Sequence, residues 1–206
     1  MNTTLHDDTT RRHQSKYENP NPIHRYVLGR FFDTAAQLLS PLNIESVLDL
    51  GCGEAYFHEH LQRRGVHLPH VVGVDLREDA VQVARGKFPA YDFYCGDIRT
   101  LDLSERRFDL VIASQILEHM PDAPTTLRQL SALSNQFLLL TVPHEPWFQV
   151  MNLLRFRDIS RLGNHPEHIN RWSLSRFCKL VQEHMDLVHA TTSFPFILVL
   201  ARTRAA

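Results

Sequence analysis

Apolar positions recur along this chain in two alternating rhythms. Ile23, Tyr26, Val27, Phe31, Ala35, Leu38 and Leu39 fall at helical spacing, which predicts a leading helix within segment 22–41. Pro41 and Asn43 close it before the first strand. Short apolar runs then follow at residues 47–50, 71–76, 94–98, 108–114 and 135–142, and each reads as a strand. Helical stretches at 56–64, 79–87 and 124–133 lie among them, with a late helix at 173–185. Two final strands, 187–192 and 194–202, are separated by a short turn. Alternation of this kind predicts an α/β fold: a doubly wound, mostly parallel seven-stranded sheet with helices on both faces. Ligands of such sheets bind at the carboxyl ends of the strands, near the switch in strand order.

Polar residues punctuate those strand ends. The first strand breaks into Asp49-Leu50-Gly51-Cys52-Gly53, a glycine turn ahead of a helix, where a backbone can approach a ligand closely. Asp49 precedes that turn, where a carboxylate repels a pyrophosphate and attracts a cation. A dinucleotide fingerprint also needs a third glycine at position 56, and Tyr56 stands there. The second strand ends in Asp75, at about the offset expected for a carboxylate on ribose hydroxyls. Gly96-Asp97-Ile98 ends the third, and Ser114 leads from the fourth into Gln115-Ile116-Leu117-Glu118-His119.

As a set, these residues resemble the class I S-adenosylmethionine-dependent methyltransferases of small-molecule type, and the likeness covers most of the chain. The resemblance implies a Rossmann-like methyltransferase fold with S-adenosylmethionine as cofactor and S-adenosylhomocysteine as its product. It implies that Gly51, Cys52 and Gly53 lie against the methionine portion and that Asp75 takes the ribose hydroxyls, with Asp49 the cofactor-side acid ahead of the turn. Asp97 would meet the adenine amino group, Leu76 and Ile98 would flank the ring, and Ser114 and Gln115 would close the methionine side. The family often carries a third glycine where this chain has Ala55, a change tolerated where the local φ is negative.

Composition narrows the class. With 206 residues and 43% hydrophobic content, the chain suits one α/β domain, expected over residues 16–206 behind a mobile lead-in at 1–15. A net charge of −1 argues against broad nucleic-acid binding. Cys52, Cys95 and Cys178 lack C-x-x-C spacing, and with a polar amino terminus and no long apolar stretch they predict a cytoplasmic protein without membrane insertion. Tyr17 either touches the ligand across the cofactor mouth or packs its segment onto the domain.

The stretch 143–172 is far longer than its connection needs, and loops of this kind are often lids. Residues 148–156 have helical spacing, and Trp147 or Trp172 offers an acceptor an apolar wall or attaches the lid to the sheet. Arg155, Arg157, Arg161 and Arg171 outnumber Glu145, Asp158 and Glu167, which points to an anionic acceptor or to a solvated basic face. Methyl transfer relies mainly on alignment; where a base is needed, His119 comes first, then His144 and His168. Glu118, His119, His165 and His168 also raise a metal-assisted alternative, a 2'-O-methyltransferase acting on RNA ends. Methyltransferases of that kind carry Glu-x-x-Glu-His after the fourth strand, and Gln115 replaces the first carboxylate here, so a divalent metal is possible but not expected. A non-catalytic cofactor-binding domain is the third class.

Overall fold

The computed structural model describes residues 21–97, 107–147, 149 and 169–204. The leading helix α1 runs Pro22–Leu39; Asn21 caps it by accepting from the Ile23 and His24 amides, and Pro22 opens its first turn. Strand β1 (Val47–Leu50) is followed by α2 (Tyr56–Gln62), β2 (Val71–Asp75), α3 (Glu78–Lys87) and β3 (Asp92–Cys95). Next come β4 (Phe108–Ser114), a 3-10 turn (Leu117–His119), α4 (Ala123–Ala132) and β5 (Ser134–Pro143). Helix α5 (Leu174–His184) and the hairpin β6 (Asp186–Ser193) and β7 (Phe196–Arg202) complete the described elements.

The strands form one sheet in the order β3-β2-β1-β4-β5-β7-β6. β1 to β5 are parallel, and β7 inserts antiparallel between β5 and β6. Alternation along the central strands explains why helices cover both faces. Leu48, Leu50, Val111 and Ala113 share a core with Leu127, Leu130, Phe177 and Val181 of α4 and α5. Val47, Leu110 and Ile112 face the other way, onto Phe31, Phe32 and Leu39 of α1 and Phe57 and Leu61 of α2. Asp49 shares their parity and is carried to the α2 side. None of the described helices is long and apolar enough to cross a membrane.

Two expected boundaries shift for physical reasons. The third strand occupies Asp92–Cys95 instead of 94–98, because pairing begins at Val72 with Asp92 on an edge whose outer residues are exposed and weakly patterned. Among the described residues, one further ladder bond, from the Gly96 amide to the Asp75 carbonyl at 2.9 Å, extends beyond it. The last strand starts at Phe196 instead of 194, since Phe194 and Pro195 form the turn and proline has no amide to donate.

Candidate active site

Strand order reverses between β1 and β4, and the glycine turn leaves β1 at that crevice. The Gly51 and Cys52 amides both donate to the Val74 carbonyl, at 2.7 and 3.1 Å, which turns the chain off the sheet. Gly51 and Gly53 have φ of 70° and 53°. A Cβ built at Gly51 would lie 2.5 Å from Ile116 Cδ1, so the turn closes directly over the segment following β4. Ala55 corrects the expectation of a negative φ: it sits at φ 58°, fully buried, as the residue before α2. This is the left-handed region, which costs a residue with a Cβ about 1–2 kcal/mol.

Asp75 is fixed by backbone donors from two sides. Its Oδ2 accepts from the Gly53 amide at 2.9 Å, and its Oδ1 accepts from the Arg77 amide at 2.9 Å. Each oxygen has a second lone pair, so the pinned carboxylate can still accept from hydroxyls. Leu76 beside it is 69% exposed, an apolar side chain open to a flat ring, and Asp97 is half-buried just past β3. Arg77 reaches Asp79 at 2.9 Å and lies 4.0 Å from Glu54, whose buried carboxylate belongs to the glycine turn. Neither Glu54 nor Arg77 was singled out by sequence pattern, although Glu54 stands inside the turn itself.

Cys52 points away from any reactive role. Its sulfur packs beside Gly73, and burial, reinforced by Asp49 and Asp75, pushes its thiol far up. What Cys52 offers a ligand is therefore backbone. Asp49 is 2% exposed, and its Oδ2 lies 2.8 Å from His58 Nε2 on α2. On the opposite bank, Ser114 Oγ and Gln115 Nε2 both reach Thr141 Oγ1 of β5, at 2.9 and 3.2 Å. Gln115 adopts φ 60°, and its amide donates to the Thr141 carbonyl at 2.9 Å.

The 3-10 turn after β4 presents His119, half-buried, while Glu118 next to it is 1% exposed. Residues 169–170 clamp that turn. The Ile169 and Asn170 amides donate to the Glu118 carbonyl, and Asn170 Nδ2 donates to the carbonyls of Leu117 at 3.1 Å and Met120 at 2.6 Å. Asn170 carries no signal in the sequence that would reveal this role. His144 follows β5; its amide donates to the Pro195 carbonyl at 2.8 Å, and it bridges Trp172. Burial holds the His144 imidazole below its usual range, which favours the neutral base, and lifts the Glu145 carboxyl above its own.

The two indoles differ. Trp172 is half-buried with its ring 5.5 Å from Phe177 of α5, whereas Trp147 is 48% exposed and 6.3 Å from the exposed ring of Phe194. Among the described residues, no three His, Cys, Asp or Glu side chains converge on a point that would hold a metal ion. Tyr17, Ile98, Arg155, Arg157, Arg161, His165 and His168, and nearly all of the expected lid helix 148–156, lie outside the described residues.

Comparison with known proteins adds independent information. A family described as a methyltransferase domain matches residues 12–184. Over 91 residues the chain is 33% identical to the ubiquinone biosynthesis O-methyltransferase of Coxiella burnetii, covering 42% of this chain and 38% of that protein. It is 31% identical over 104 residues to an uncharacterized methyltransferase of Mycobacterium tuberculosis, covering 50% and 51%. The chain thus spans about two fifths to one half of the curated relatives it matches. Among solved structures, the magnesium protoporphyrin IX methyltransferase of Synechocystis with bound SAH superposes with a TM-score of 0.73 at 18% identity, covering 97% of this chain and 96% of that one. The plantazolicin methyltransferase, in complex with a monoazolic desmethylPZN analog and SAH, superposes at 0.71 with 17% identity, covering 98% and 92%. Both share the fold.

Proposed function

We infer that this chain, which belongs to the methyltransferase-domain family, transfers a methyl group from S-adenosylmethionine to an oxygen, nitrogen or carbon atom of a small-molecule acceptor. The observation that carries this reading is the Asp75 carboxylate, pinned by the Gly53 and Arg77 amides at the strand-order switch beside exposed Leu76. Those residues fit an adenosine: paired acceptors for vicinal hydroxyls, an apolar side chain for the base, and Asp97 for an exocyclic amine. Gly53, where a Cβ would meet only Asp75 Oδ2 at 4.0 Å, leaves room for the methionine portion, with Ser114 and Gln115 on the far bank. The bound donor supplies a methyl on a sulfonium with a neutral thioether as leaving group.

The chain's own residues then supply alignment and, where the acceptor carries a proton, a base. His119 stands directly after β4, and an imidazole nitrogen there would take the acceptor's proton. His144, whose imidazole burial holds below its usual range, is the alternative base, with His168 third. Trp147 offers an exposed wall to an acceptor, half-buried Trp172 is a second candidate wall, and Arg155 is proposed for an anionic group. Small-molecule acceptance is supported by the relative named for ubiquinone biosynthesis and the neighbour named for magnesium protoporphyrin IX.

Calorimetry tests the donor site. S-adenosylmethionine and its demethylated product should bind at micromolar concentrations, and Asp75→Ala should weaken both by about 1–3 kcal/mol through lost hydrogen bonds to a charged acceptor. Absence of binding by the unaltered protein would refute the reading. For the acceptor side, labelled methyl transfer into a cell extract should fall in His119→Ala while donor affinity stays nearly unchanged; an equal loss of both would make His119 a support of the pocket.

A further inference from the structure

Asp49 was expected, as the acid ahead of the glycine turn, to attract a cationic ligand, and the structure buries it beneath that turn. The side chains of Asp49 and His58 are 3% and 1% exposed, and Asp49 Oδ2 stands 2.8 Å from His58 Nε2. A carboxylate only accepts hydrogen bonds, so the contact calls for the tautomer with a proton on Nε2. The imidazole is itself boxed in by rings: Tyr91 at 5.7 Å, Phe88 at 6.3 Å and its neighbour Phe57 at 6.3 Å. Tyr91 is held in turn by its hydroxyl donating to the Leu68 carbonyl at 2.8 Å. A buried carboxylate stripped of its donor either takes up a proton or leaves its place, because an unpaired charge in an apolar setting is strongly disfavoured.

The two residues also join the elements on either side of the turn. Asp49 belongs to β1, His58 to α2, and the left-handed residues Gly51, Gly53 and Ala55 lie between them. Their hydrogen bond therefore fixes the span across which the Gly53 amide reaches Asp75.

We propose that His58 is a positioning residue of the donor site: it locks the Asp49 carboxylate under the glycine turn, holding both the turn and a fixed negative charge in place for a cationic ligand. This deepens the proposed function and rests on it. Loss of the lock should weaken binding of the sulfonium donor more than binding of its product, which lacks that positive charge.

The test is calorimetry at pH 7.5 with S-adenosylmethionine and S-adenosylhomocysteine on three proteins. His58→Leu retains bulk without a donor and should weaken the sulfonium ligand at least tenfold and the product severalfold less. His58→Gln places an amide Nε2 where the imidazole Nε2 stood and should bind both within about threefold of the unaltered protein. Equal binding by His58→Leu, or an equal loss in His58→Gln and His58→Leu, would overturn the proposal. If His58→Leu does not fold, a long-range proton–nitrogen NMR spectrum of the unaltered protein decides: a proton on His58 Nε2 supports the lock, and an imidazole protonated only on Nδ1 overturns it. An unaltered protein that binds neither ligand would instead remove the donor reading itself.

Discussion

The two banks of the crevice are assembled by different means. On the bank of β1 and β2, partners are close in the chain: Arg77 and Asp75 are two residues apart, Asp49 and His58 nine, Gly53 and Asp75 twenty-two. Backbone amides do much of the holding, so the geometry follows from the turn and the strand register. On the bank of β4 and β5, the partners of Asn170 lie fifty and fifty-three residues away, and Ser114 and Gln115 depend on Thr141. A donor common to a whole family suits the first kind of construction. The turn that carries His119, which we propose faces the acceptor, is of the second kind, where one distant side chain, Asn170, shapes the wall without disturbing the sheet.

Substitutions can break this contrast. The largest effect is expected from Gly51→Val, where a branched Cβ would enter the space of Ile116 at a φ of 70°. Overpacking and backbone strain together should cost about 2–4 kcal/mol and abolish donor binding. Thermal melting and calorimetry would show both losses, and Ile116→Ala in the same chain should recover part of the stability. If binding survived, the turn would not be the donor's seat. Asn170→Ala comes next. It removes two bonds to the carbonyls of Leu117 and Met120 and should cost about 1–2 kcal/mol. Turnover should fall while donor affinity holds; a matching fall in affinity would erase the distinction between the banks. Smallest is Ala55→Gly, which relieves a left-handed alanine but frees the unfolded chain, for a net gain of about 0.5–1 kcal/mol in denaturant titration. A loss would show that the buried methyl of Ala55 matters more than its backbone.

The same contrast governs how far the chain could be read before its structure was known. Alternating apolar runs revealed the sheet and its covering helices, because Leu48 and Leu50 serve one core while Val47, Leu110 and Ile112 serve the other. The place of Asp75 at the end of β2 was legible too, since a strand end and a fixed offset from a glycine turn are local features. The backbone sign at Ala55 was not, because side-chain identity alone favours the opposite region and only packing of the turn overrides it. The burial of Asp49 followed from its parity in β1, yet its partner could be found only by placing α2 over that face. Asn170 was beyond reach, as nothing near it in sequence announces a return to the turn after β4.

The direction of β7 has a practical consequence. Phe196 pairs with Pro143 at the crevice edge, and six residues later Arg202 pairs with Phe137 at the other end of the sheet. At the usual rise per residue these ends stand about 20 Å apart. A fluorophore or surface tether attached at Arg204 would thus anchor the protein from behind, leaving the approach to the crevice open for single-molecule or immobilised assays.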